Sequence, residues 1–97
     1  MRGRYTASAR TDIDNILTRI GKDNPAAKTA VGAAIKVAIT RLCSFPYLGA
    51  VTDQSGIYMK IARPYHYQIF YRIASDTLVI RSVRHPARRR PPNEKEF

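Results

Sequence analysis

Few side chains in this 97-residue chain can do chemistry, and most of them are cationic. Lys60, Arg63, Arg72, Arg81, Arg84, Arg88, Arg89 and Arg90 crowd the stretch Ile57 to Arg90, where Asp76 is the single acid. One sign of charge on one framework calls for an anionic partner. His85 stands among the arginines, and an imidazole titrating near 6.5 suits acid or base work. The plainer reading is that His85 caps a strand end and hydrogen-bonds locally. His66, beside a turn, reads as a surface residue. Two histidines, one cysteine and no clustered carboxylates offer no metal-ligand spacing, so neither metal nor cofactor is expected.

Seventeen basic residues against seven acidic ones give a net charge of +10, well beyond what solubility needs. A phosphate-rich or acidic protein partner accounts for this excess, since the charge gathers in the last third of the chain. A hydrophobic content of 44% supports one folded domain with a modest core. Cys43 cannot form an internal disulfide and reads as a small buried hydrophobe, which fits a reducing compartment. The start, MRGRYTASAR, lacks the apolar core of a signal peptide. No apolar run reaches the ~18–20 residues that span a bilayer. The expected protein is soluble and cytoplasmic.

The elements that must position these groups follow from periodicity and caps. Gly3 to Ala7 is a candidate strand. Ser8 is the expected N-cap of a first helix, with Asp12 and Asp14 near its positive end and Gly21 ending it. Ala9, Ile13, Ile16, Leu17 and Ile20 make one apolar stripe. Asn24-Pro25 starts a second helix running to about Cys43, Asn as N-cap and Pro in the first turn. Its stripe is half alanine, which lets the first helix pack closely as a hairpin, and Gly32 is a candidate mark of that approach. Pro46 ends the helix at Phe45, and Ala50 to Gly56 reads as a flexible loop. Three strands follow: Ile57 to Ile61, His66 to Ile73 and Thr77 to Val83. Short turns at Arg63-Pro64 and Ala74-Ser75-Asp76 make them an antiparallel meander. Thr77 to Val83 is apolar at nearly every residue, as in a strand covered on both sides. The expected fold is α+β, β-α-α-β-β-β, a helical hairpin packed on a mainly antiparallel four-stranded sheet. Residues 1–90 form a single domain, and 91–97 a flexible tail.

This order resembles the ParE/RelE superfamily of bacterial toxins from type II toxin–antitoxin pairs. The resemblance rests on Tyr5, Ala9, Asp12-Ile13 and Ile16, on Asn24-Pro25-Ala26-Ala27, and on the spacing of Leu42, Pro46 and Gly49. It continues through Tyr67-Gln68-Ile69-Phe70-Tyr71-Arg72-Ile73 and Val79-Ile80-Arg81-Ser82-Val83-Arg84-His85, with Arg88 beyond. It implies one of two activities: ribosome-dependent mRNA cleavage, as in RelE-like members, or poisoning of DNA gyrase, as in ParE-like members.

The RelE pattern implies two lysines on the strand after the helices, an arginine on the next, and arginine plus tyrosine near the end. Aligned on Tyr67, this chain has Met59 and Ile61 at the lysine positions and Gln68 at the arginine. Lys60, one residue off, points to the opposite face of its strand, and no tyrosine follows Tyr71. No catalytic set is favoured. The alternative nuclease reading uses His85 with Arg81, Arg88 and Tyr65. The preferred reading is a ParE-like toxin that contacts its target through Arg81, Arg84, His85 and Arg88. A third is a non-toxic homologue that only binds antitoxin. In each case the implied partner is a ParD-like antitoxin, acidic and folding on binding. Its expected docking surfaces are an open sheet edge and the apolar groove around Ile13, Ile16, Leu17 and Ala38. No membrane contact is expected.

Overall fold

The computed structural model describes residues 1–85. Arg88, the arginines beside it and the tail at 91–97 lie outside the described residues. In order come β1 (Arg2–Tyr5), α1 (Ala7–Asp23), α2 (Pro25–Ser44), a 3-10 turn (Pro46–Leu48), β2 (Ala50–Val51), β3 (Tyr58–Ala62), β4 (Tyr67–Ala74) and β5 (Thr77–Arg84). The sheet has five strands among these residues rather than four, in the order β1-β5-β4-β3-β2. β1 runs parallel to β5, and every other pair is antiparallel. The extra strand is β2, two residues pairing Ala50 with Met59 and Val51 with Tyr58. It replaces the start of the expected flexible loop. The rest of that loop is closed by Thr52, whose hydroxyl donates to Ile57 O at 2.8 Å while its N–H donates to the same carbonyl.

Both helices begin where a side chain can take up an orphan amide. Asn24 serves the hairpin twice: its N–H closes α1 on Ile20 O at 2.9 Å, and its side chain accepts from Ala27 N at 3.0 Å. The helices therefore meet across one extended residue, and Gly21 lies inside α1 rather than ending it. The N-cap of α1 is Thr6, not Ser8. That moves Asp12 and Asp14 out of the first turn, and Asp12 takes a different task. Gly32 is not sterically required: a Cβ there would meet Leu17 at 3.7 Å, an ordinary contact.

The core lies between the hairpin and one sheet face. Val31, Ile35, Ile39 and Leu42 of α2, with Ala9 of α1, meet Tyr67, Ile69 and Tyr71 of β4 and Leu78, Ile80 and Val83 of β5. Ile80 and Val83 are three residues apart, yet both point inward. The pairing slips between them: Phe70 faces Ser82 while Tyr71 faces Ile80, which leaves Arg81 as the extra residue of a bulge. The helices cover only this face. Val79, on the other, is buried but stands outside the core cluster.

Tyr71 joins the core to the chain between α2 and β2. Its ring stacks on Tyr58 with centroids 5.6 Å apart. Its hydroxyl donates to Pro46 O at 2.7 Å and accepts from Gly49 N at 3.0 Å. A Cβ at Gly49 would lie 3.0 Å from Met59 O and 2.9 Å from Tyr71 Cε1, so only glycine fits this corner. Tyr71→Phe strands both partners, and the expected loss is about 1–3 kcal/mol, read as a lower urea midpoint with an unchanged slope. An unchanged midpoint would show that water replaces the hydroxyl at no cost.

Candidate functional site

Arg81, Arg84 and His85 lie in or just after the last four residues of β5, and the backbone explains how that end is held. β1 stops at Tyr5, opposite Ile80, so β5 runs on for four residues without a strand on that side. The start of α1 completes the edge. Thr6 N donates to Ile80 O at 3.1 Å, and the Thr6 hydroxyl donates to Arg81 O at 3.1 Å. That hydroxyl also accepts from Ala9 N, so one side chain caps the helix and closes the strand. The Asp12 carboxylate then accepts from Val83 N at 3.0 Å. Thr6 and Asp12 are positioning residues that sequence reasoning missed, placing Thr6 in the first strand and Asp12 only at the helix start. Their partners lie more than seventy residues away.

The named cations do not converge. Arg81 occupies the bulge and is exposed. Arg84 lies on the helix-free face, its guanidinium 5.5 Å from the Phe70 ring centroid. His85 sits on the other side, edge-on to the core residue Tyr67 with centroids 5.2 Å apart. Arg81 and His85 are roughly 13 Å apart along the strand, at ~3.3 Å per residue. Tyr65, in the β3–β4 turn, is 40% exposed. Burial pushes the Tyr67 phenol above its usual 10.0, so the ring against His85 stays neutral near pH 7. The structure thus brings His85 to Tyr67 and sets Arg81 four residues back along β5.

The positions where an RNA-cleaving relative would carry cations lie together on the helix-free face. Ile61 pairs with Gln68, and Met59 with Phe70, in adjacent rows. Lys60 pairs with Ile69 and is turned toward the helices, half-buried. The three neutral side chains of Met59, Ile61 and Gln68 offer nothing to activate a hydroxyl. The cations nearest them on this face are Arg84, opposite Gln68, and Arg72, two residues along β4 from Phe70. Among the described residues, no group of three or more histidine, cysteine or acidic side chains could hold a metal ion.

A second feature is a groove of about 430 Å³ along the hairpin. Ile13 and Leu17 of α1, Gly32 and Ile35 of α2 and Tyr5 of β1 line it, with Arg10, Asp14 and Lys36 also at its surface. Ile16 and Ala38, expected in the same groove, are half-buried and pack on the core, as Ile13 and Leu17 also do. No helix among the described residues is long and apolar enough to cross a membrane. Asp12→Ala leaves Val83 N–H without its carboxylate, at an expected cost of about 1–3 kcal/mol. Hydrogen exchange should speed up at Val83 well before the β4 amides; equal protection would show that the clamp does not hold the strand end.

The chain matches the family described as ParE toxin of type II toxin-antitoxin system, parDE, over residues 4–90. No curated protein matches it. Among solved structures, a chain of the chromosomal ParDE toxin–antitoxin system from P. aeruginosa superposes with a TM-score of 0.77. That match covers 88% of this chain and 95% of the other at 15% identity, a likeness of fold alone. With the family match spanning almost the whole described structure, this chain belongs to the ParE toxin family of type II toxin–antitoxin systems.

Proposed function

We propose that this ParE-family chain is a toxin that acts by binding DNA gyrase and hydrolyses nothing itself. The observation that carries the reading is the neutral patch of Met59, Ile61 and Gln68, with Lys60 turned to the opposite face. Metal-free RNA cleavage needs cations where this sheet presents a thioether, a sec-butyl group and an amide. The arginine-rich end of β5 is then a docking surface. Arg84 would contact the target from one side of the sheet, with Arg81, His85 and Arg88 supplying the rest of the binding set.

The neutralising partner is an acidic antitoxin whose segment folds on binding. A +10 domain attracts such a chain, and the Tyr5–Ile13–Leu17–Ile35 groove offers an apolar seat for the i, i+3, i+4 face of a helix. Ile16 and Ala38, half-buried on the same hairpin, belong to the same proposed antitoxin surface.

The test is a gyrase supercoiling and cleavage-complex assay with purified protein. Inhibition is expected, with a weakening of roughly tenfold or more for Arg84→Ala, given that a central arginine contact is worth about 1–2 kcal/mol or more. No effect of the unsubstituted protein at large excess over gyrase would refute the proposal.

A further inference from the structure

The sheet face that the helices leave uncovered carries three arginines, Arg2, Arg4 and Arg72, that neither the core nor the β5 end accounts for. It is continuous with Arg84 of that end. Register places Arg4 of β1, Val79 of β5 and Arg72 of β4 side by side in one row. Arg2 stands in the next row, opposite Thr77, and Arg84 at the far end of the face, opposite Gln68. Arg2, Arg4 and Arg72 are exposed. With strands ~4.8 Å apart and alternate residues ~6.6 Å apart along each, the four form a spaced array rather than one point of charge. The nearest acid in register is Asp76 in the β4–β5 turn, whose backbone carbonyl accepts from Arg2 N and whose carboxylate accepts from the Thr77 hydroxyl.

We infer that this face takes the sugar–phosphate backbone of duplex DNA. All four cations are arginines, whose planar forks suit phosphate oxygens better than the point charge of lysine. A protein partner would want an open apolar anchor among them. Val79, at the centre of the row, is only 6% exposed. Bases of a single strand would want a free aromatic ring to stack on, and the Phe70 ring is already covered by Arg84. What remains is charge in a flat array, suited to a regular row of phosphates read without sequence. The inference deepens the gyrase reading, because gyrase holds DNA and a toxin docked there would meet both. Its test omits gyrase, so the two can fail separately.

The full chain is titrated into a fluorescein-labelled duplex of about 20 base pairs at rising salt, and anisotropy is read. Four phosphate contacts predict a slope of log K against log salt of roughly −3 to −4, at about 0.9 per contact. Arg4→Ala/Arg72→Ala should weaken binding and flatten the slope by about 2, whereas Arg4→Lys/Arg72→Lys should keep the slope. Circular dichroism shows that both variants remain folded. Arg88→Ala/Arg89→Ala/Arg90→Ala should leave the Arg4/Arg72 effect intact, and a labelled single strand should bind more weakly than the duplex. A folded alanine variant with unchanged affinity and slope would overturn the inference. So would displacement of the duplex by poly-glutamate at equal charge concentration, which would make the face a seat for acidic polypeptide.

Discussion

The fold depends on finishing the edge of one strand. β5 lies between β1 and β4, but β1 is half its length, and the part-buried Val83 N–H left without a partner would cost about as much as a lost hydrogen bond. The chain solves this with side chains from the helix that follows β1. Thr6 and Asp12 take Arg81 O and Val83 N, so the start of α1 substitutes for the missing strand residues. The same bonds set where α1 begins and lay it against β5. They also hold out the end that carries Arg84 and His85. A helix cap, a sheet edge and the end of β5 that carries Arg84 are one hydrogen-bonded unit.

That unit works with a second device, the bulge at Arg81. By adding one residue it keeps both Ile80 and Val83 in the core, and it puts Arg81 out where it is exposed. Without the slip, an inward Ile80 would turn Val83 outward and Arg84 inward, a buried charge with no partner in view. At the other end of the sheet the Tyr71 hydroxyl plays a comparable part, tying the Pro46–Gly49 corner to the core.

The features legible in the sequence were those whose causes are local. Asn24-Pro25 announced the hairpin turn because cap and first turn are adjacent residues. The Tyr67–Ile69–Tyr71–Ile73 alternation announced the buried face of β4. Features whose partners are distant were not legible. Ser8 and Thr6 are equally good caps by type, and only Arg81 O, seventy-five residues on, chooses between them. β2 is too short to show a period and exists because β3 lies beside it. Helical spacing put Ile13 and Leu17 on one apolar stripe, but Tyr5, which reaches the same groove from β1, has no signal in that spacing. That Arg84 and His85 lie on opposite sides follows from strand alternation, but that Arg84 takes the helix-free side follows from the bulge, which no pattern of residue types announces.

The family fold carries more than one activity, so function has to be read from side chains on a shared frame. Here the frame puts neutral groups where RNA cleavage needs cations, and it spreads arginines where contact needs area. The central claim is that this protein docks and does not cut. Primer extension on a defined mRNA, recovered from a bacterial translation extract with and without the purified protein, tests it most directly. The account predicts the same message ends in both samples. New internal ends that disappear with His85→Ala would contradict it.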